Sequence, residues 1–171
     1  MSLRDILDGA LIFVDANIFV YAVERRSPQC RQLLDRIDGE AVRAFSSAIV
    51  LAEVCHRRMV NEAREAGLIS GANPARLLGE RPDGVQRLSI YAQNTRDLLD
   101  SPISFEPVRL EDFYVALELQ RQHGLLTNDS LNFAVAKRLG IQAIATADKS
   151  FDNVPGLIIY KPEDISFRLV L

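Results

Sequence analysis

An α/β fold, with a mainly parallel sheet covered by helices on both faces, is what this sequence predicts, and three observations predict it. Apolar runs of strand length alternate along the chain with segments of helical periodicity, the pattern of βαβ units. The first such run, Leu11-Ile12-Phe13-Val14, ends abruptly in Asp15, and a second apolar-periodic segment follows at once. That reads as a buried parallel strand delivering a carboxylate to the carboxyl edge of the sheet, where ligands of open α/β folds sit. Turn signals close the segments: Asp38-Gly39, Ser101-Pro102, Gly124 and Gly140.

Residues 1–9 read as a short leader that could begin a helix. A strand over 10–14 feeds a helix over 18–24, with Asn17 near its start. Ser27-Pro28 supplies an N-cap and first-position pair for a second helix through about residue 37. A strand is expected over 41–45, with Ser46 or Ser47 capping a long helix over 48–66. Residues 67–83 carry Gly67, Gly71, Asn73-Pro74, Gly79 and Pro82, the composition of a connection between helices. A helix over 84–99, a short strand over 104–108 and a helix over 110–123 follow, the last ended by Gly124. Thr127-Asn128-Asp129 opens a further helix to residue 139. Strands over 142–146 and 157–160 come next, and the weak alternation of 166–171 suggests an extra edge strand. The chain reads as one domain over 1–171, its core about 10–163. The helical stretch 67–103 is an elaboration, since it has no strand-rich core of its own.

The chain has 171 residues, 48% hydrophobic and 25% charged, with a net charge of −3. That is ordinary for a soluble globular protein and gives no basic footprint for strong non-specific nucleic-acid binding. It leaves room for an enzyme that holds a nucleic acid through cations. No apolar stretch reaches membrane-spanning length and the N-terminus lacks a signal-peptide core, so no membrane is expected. Cys30 and Cys55 form neither a CxxC pair nor a zinc spacing, which points to a reducing cytoplasm.

Four acidic residues share a predicted position at the carboxyl edge. Asp15 ends the first strand, Glu53 lies in the first two turns of the helix after the second, Asp129 opens the helix before the fourth, and Asp148 follows that strand. Singly, Asp15 could cap a helix, Asp129 complement a helix dipole and Asp148 belong to a turn. Glu53 is harder to place so, because Ala48-Ile49-Val50-Leu51-Ala52 and Val54-Cys55 make its surroundings apolar. Gathered in one cleft the four repel, by about 4 kcal/mol for a pair ~4 Å apart at an effective dielectric of ~20. A hard divalent cation, Mg²⁺ or Mn²⁺, resolves the conflict and supports phosphodiester hydrolysis. Asn17, Ser46 and Thr146 lie near these positions and could orient waters or a phosphate.

Four stretches then resemble, in order and spacing, the acidic motifs of PIN domains. They are Val14-Asp15-Ala16-Asn17 with Ile18-Phe19, Ser46-Ser47 with Leu51-Ala52-Glu53-Val54, Leu125-Leu126-Thr127-Asn128-Asp129, and Ala145-Thr146-Ala147-Asp148-Lys149-Ser150-Phe151. In style they are similar to the VapC-type toxins of toxin–antitoxin pairs. The resemblance covers about residues 10–163, and it implies a flavodoxin-like three-layer α/β/α sandwich and a metal-dependent endoribonuclease. Carried over, Asp15, Glu53, Asp129 and Asp148 form the acidic metal site, Asn17 and Thr146 are polar helpers, and Asp152 is a fifth, weaker carboxylate. Such proteins often dimerise and are often silenced by a small antitoxin that enters the acidic groove. This sequence departs from the pattern in its leader and in the long Glu53–Asp129 separation, which bears on substrate and partner but not on the motifs.

Two other readings stand beside it: a non-catalytic PIN-like module that binds RNA or a protein, and a phosphohydrolase of the haloacid-dehalogenase type with Asp15 as nucleophile. The latter wants a second Asp where Asn17 stands. Glu53-x-x-His56 has di-iron spacing but occurs once, so His56 reads as a surface or packed histidine. His123, at a helix end, has a structural reading. The pairs Arg57-Arg58 and Lys137-Arg138 read as solvated faces, while Arg25-Arg26 could touch an RNA backbone. There is no P-loop, no GxGxxG and no serine nucleophile elbow.

Overall fold

A computed structural model of the chain describes residues 1–165. Five parallel strands form one sheet in the order β3-β2-β1-β4-β5: β1 (Leu11–Val14), β2 (Arg43–Ser47), β3 (Ser104–Glu106), β4 (Ala143–Ala145) and β5 (Ile158–Tyr160). Strand β1 is central, flanked by β2 and β4, and its Ile12, Phe13 and Val14 are at most 1% exposed. A strand covered on both faces must be apolar throughout, which is why this run lacks alternation. The strand order reverses between β1 and β4, so the crevice outside their carboxyl ends is the topological switch point.

Helices α1 (Ala16–Val23) and α2 (Pro28–Asp38) connect β1 to β2. Helices α3 (Ala48–Glu65), α4 (Pro74–Gly79), α5 (Pro82–Gln86) and α6 (Ile90–Leu99) connect β2 to β3, and α7 (Leu110–His123) and α8 (Thr127–Arg138) connect β3 to β4. With right-handed crossovers the reversal of strand order puts helices on both faces, giving the expected three-layer sandwich. Residues Ser130 to Ala136 of α8 are buried on every side, as befits a helix wedged between sheet and neighbour. Ser27 and Ser47 cap α2 and α3 by accepting from Cys30 N and Val50 N, each at 3.1 Å. Gly124 ends α7 at φ 70°, a conformation that strongly favours glycine.

Several boundaries differ from the expected ones for local reasons. Strand β2 begins two residues late, because the N–H groups of Ala41 and Val42 turn back to Arg36 O at the end of α2. It ends late as well, because Ser46 and Ser47 stay extended against Phe105 and Glu106. Pro74 and Pro82, which read as loop residues, stand in the first turns of α4 and α5. The single helix expected over 84–99 is broken before α6, where Glu62 of α3 accepts from the N–H groups of Ser89, Ile90 and Tyr91 at 2.9, 3.0 and 2.7 Å. One buried carboxylate thus satisfies the open end of α6 from a different helix. The edge strand expected over 166–171 lies outside the described residues.

Among the described residues the apolar core falls into two clusters. The larger spans the sheet and its covering helices. The smaller joins Val60 and Ala63 of α3 to Ile69, Leu78 and Leu88, so the stretch 67–103 builds its own helical packing against the far half of α3. The leader is fixed too: Leu3 and Ile6 are 2% exposed, and Leu3 N donates to Lys161 O beside β5. Among the described residues no helix is long and apolar enough to cross a membrane. Cys30 and Cys55 are both free thiols.

Candidate active site

Asp15 leaves β1 in extended conformation and caps α1, its Oδ1 accepting from Ala16 N at 2.7 Å. The helix-capping reading of this residue therefore holds, and it holds at the carboxyl end of β1. Its Oδ2 accepts from Thr146 Oγ1 at 2.7 Å and from Asn17 Nδ2 at 2.5 Å. Thr146, fully buried beyond β4, also accepts from Asp148 N at 2.9 Å, and Asn17 Oδ1 accepts from Ala147 N at 2.7 Å. Asn17 and Thr146 thus clamp the carboxylate that ends β1 to the loop that follows β4. With its amide committed on both sides, Asn17 has nothing to offer as the acid–base partner of a covalent phosphohydrolase.

Asp129 lies in the first turn of α8, half-buried, and Asp148 is exposed in the loop after β4, with Ser150 N donating to its Oδ1 at 2.8 Å. Glu53 lies on α3 with its side chain 36% exposed. The four carboxylates sense one another. Burial raises the pKa of Asp15, the hydrogen bonds from Thr146 and Ala16 oppose the rise, and the charges of Glu53 and Asp148 add to it. Asp129 is pushed up to about 6, first by burial, then by the charges of Asp148 and Asp15, with Glu53 a smaller contributor. Carboxylates from the end of β1, from α3, from α8 and from the loop after β4 thus lie within electrostatic reach of one another, with Asp15 buried and Asp148 exposed.

Not every expected member behaves as the sequence suggested. Glu53 is not sealed in apolar surroundings: it is partly exposed and pairs one turn on with Arg57 at 3.4 Å. The apolar neighbours in sequence point to other sides of the helix. Ser46 is fully buried and donates to Val14 O at 2.8 Å, joining β1 to β2 without touching a carboxylate. Asp152 is exposed and pairs with Lys161. Arg58 and Arg138, expected on solvated faces, are instead paired structural cations. Arg58 meets Glu24 at 3.1 Å, and Arg138 meets the buried Asp112 at 2.9 Å. Sequence reasoning passed over Asn132, whose Oδ1 accepts from Ser47 Oγ at 2.6 Å and ties the end of β2 to α8. Its position three residues after Asp129, on the same helix face, was the available signal.

All four donors are hard carboxylate oxygens, and their mutual repulsion is what a divalent cation would relieve, so the donor set fits Mg²⁺ or Mn²⁺. Among the described residues no three His, Cys, Asp or Glu side chains stand close enough together, as arranged here, to hold a metal ion.

Comparison with known proteins agrees with this architecture. Ribonuclease VapC6 of Methanocaldococcus jannaschii is 23% identical over 155 residues, covering 88% of this chain and 96% of that protein. Ribonuclease VapC13 of Mycobacterium tuberculosis is 28% identical over 150 residues, covering 86% and 97%. A solved toxin–antitoxin complex from Klebsiella pneumoniae has a chain of the same fold, with a TM-score of 0.57 at 18% identity over 90% of this chain and 99% of that one. The family model described as PIN domain matches residues 12–157, a span that takes in all four cleft carboxylates, and the chain belongs to the PIN domain family.

Proposed function

We propose that this protein is a divalent-metal-dependent endoribonuclease, the toxin of a toxin–antitoxin pair, with Asp15, Glu53, Asp129 and Asp148 as its metal site. The observation that carries the reading is a set of carboxylates within electrostatic reach of one another at the switch-point crevice, where burial first and neighbouring charge second raise Asp15 and Asp129. The naming of relatives as ribonucleases supports RNA as substrate. When bound, Mg²⁺ or Mn²⁺ would activate a water and neutralise charge developing on the phosphate. The residues of the chain supply position. Thr146 and Asn17 hold Asp15 to one rotamer and fix the loop that presents Asp148. Arg57 sits beside Glu53 and is a cation available to an RNA phosphate once Glu53 turns to the metal.

A small antitoxin protein is the proposed partner, supported by the fold likeness to a toxin–antitoxin complex. A second copy of the chain is the other. Leu110, Phe113, Tyr114 and Leu117 form an exposed stripe on α7 at helical spacing, 79, 45, 76 and 61% exposed. The proposed setting is the cytoplasm, in keeping with two unpaired cysteines.

The test is cleavage of a mixed RNA pool by purified protein with Mn²⁺, with EDTA, and with Asp15→Asn. Cleavage that needs the cation and the carboxylate is the expected result. Cleavage in EDTA, or a fully active variant, ends the proposal; binding without cleavage at millimolar Mn²⁺ leaves a non-catalytic module in its place.

A further inference from the structure

Ser150 stands where two of the acidic motifs meet. Its backbone N–H donates to Asp148 Oδ1 at 2.8 Å, while its hydroxyl lies near enough to the Asp129 carboxylate to favour its charged form, yet outside the geometry of a made hydrogen bond. Among the described residues, Ser150 Oγ is the only buried side-chain nitrogen or oxygen left with no hydrogen-bond partner. The large majority of buried side-chain polar atoms are partnered, so one left open beside charged carboxylates calls for an explanation. Ser150 begins a short 3₁₀ turn, Ser150–Asn153, anchored by Phe151 at 1% exposed.

We propose that Ser150 is a positioning residue of the acidic site, its hydroxyl donating to the Asp129 carboxylate when that group holds a divalent cation. The proposal rests on the metal-dependent reading above and deepens it. A carboxylate that gives one lone pair to a cation keeps others free, and a donor behind it sets its orientation. Asp15, Glu53 and Asp148 are acceptors when ionised and cannot serve. The Ser150 hydroxyl brings one hydrogen that nothing else in the described structure accepts. In this account the open hydroxyl is kept for the loaded state, and its N–H ties Asp148 to the same turn.

The test is a titration of Mn²⁺ into the metal-free wild type, Ser150→Ala and Ser150→Thr, read by calorimetry and by thermal unfolding. Ser150→Ala is expected to leave the metal-free Tm unchanged or higher, because it deletes an unpartnered hydroxyl. Its Mn²⁺ affinity should fall about 10-fold or more, the usual effect of losing an outer partner, and Ser150→Thr should restore it. Wild-type affinity in Ser150→Ala overturns the proposal. So does a lower metal-free Tm in that variant, which would make the hydroxyl merely structural. Asp129→Asn separates the two levels. If it loses the site while Ser150→Ala keeps it, only the role of Ser150 fails; if it binds Mn²⁺ as the wild type does, or the wild type binds none, the metal reading itself fails.

Discussion

Thr146 Oγ1 donates to Asp15 Oδ2 at 2.7 Å across 131 residues of sequence, and both groups are buried. This contact closes the switch-point crevice from the β4 side. Replacing Thr146 by valine keeps the shape and removes the donor, leaving a buried carboxylate short of one partner. The expected cost is about 1.5–3 kcal/mol, the range for hydrogen bonds to charged groups. Denaturant unfolding at pH 8 without added metal measures it. Because Asp15 is less well held, RNA cleavage by the folded variant should fall as well.

The repulsion within the cleft predicts opposite effects on stability and function. Asp129→Asn removes one of the interacting charges, so the metal-free variant should melt above the wild type at pH 8. The wild type should gain about 2.7 kcal/mol, roughly 5–10 °C, when Mn²⁺ reaches about 100 times its dissociation constant. In Asp129→Asn and Asp15→Asn that gain should largely vanish, and cleavage should fall on the order of 100-fold or more, above the loss expected for an outer partner. Differential scanning fluorimetry and a gel assay decide it. A full cation response in both variants would remove them from the metal site.

Burial of Asp129, with the neighbouring charges, sets a pH dependence. Asp129 rises from the ordinary 3.8 to about 6 on folding. Its protonated form is thus favoured by the fold, and the stability it gives is fully present below about pH 3.8 and lost as pH rises through about 6. At neutral pH the unscreened penalty is at most ~3 kcal/mol, reduced to about 1–2 kcal/mol by the partial exposure of the group. Asp15, also raised, acts in the same direction. Wild-type Tm minus that of Asp129→Asn, followed from pH 4.5 to 7.5 in EDTA, should therefore decline with pH. Saturating Mn²⁺ should flatten the curve. A difference that grows more positive with pH would contradict the assignment.

How much of this was legible beforehand depended on whether a signal was local. Leu11 to Asp15 announced a buried strand ending in a carboxylate because an apolar run and its terminus are read from adjacent residues. The four motifs were found for the same reason. Contacts across the chain were not legible. Nothing beside Glu62 says that it will cap α6, which is why the break before Ile90 went unseen. Nothing beside Arg58 says that Glu24 will bury it. Glu53 misled in the other direction: apolar neighbours in sequence lie around the helix, and its own face is partly open and occupied by Arg57. The shift of β2 had a subtler cause, since Glu40 at φ 57° lets the end of α2 claim two residues that pattern alone assigned to the strand.

Glu62 offers a test of the elaboration that leaves the acidic cleft alone. It lies nine residues, about 14 Å along α3, from Glu53. Its pKa is lowered, although burial works against this, by the N–H groups of Tyr91, Ile90 and Ser89 and by the charge of Arg58. The stability it contributes is present above the usual glutamate value of 4.5 and is lost as pH falls through its lowered value. Glu62→Gln keeps one acceptor and loses the charge, so α6 should loosen first. Hydrogen exchange should show faster exchange at residues 89–99, with the strands protected as before. Uniform loss of protection across the sheet would mean that the elaboration and the sandwich unfold as one unit.

The exposed stripe on α7 predicts an assembly. Leu110, Phe113, Tyr114 and Leu117 follow the i, i+3, i+4, i+7 spacing of a face that belongs against another surface, yet only Asp112, Ala116 and Leu119 of this helix are buried. A two-fold dimer brings the same face of each copy together, so a stripe that is apolar along its length can cover itself, with the Glu118–Arg121 pair at its border. A stable pair needs on the order of 1,000 Å² of buried surface or more, which adjoining residues such as Val115 would help supply. Light scattering of the purified protein should give a dimer mass. Leu117→Glu should shift it to a monomer with unchanged circular dichroism, because the side chain is 61% exposed and supports nothing inside the fold. A variant that stays dimeric would place the contact on another face. A wild type that is monomeric alone and forms a complex only with a small protein encoded beside it would assign this stripe, if Leu117→Glu blocks that complex, to the antitoxin instead.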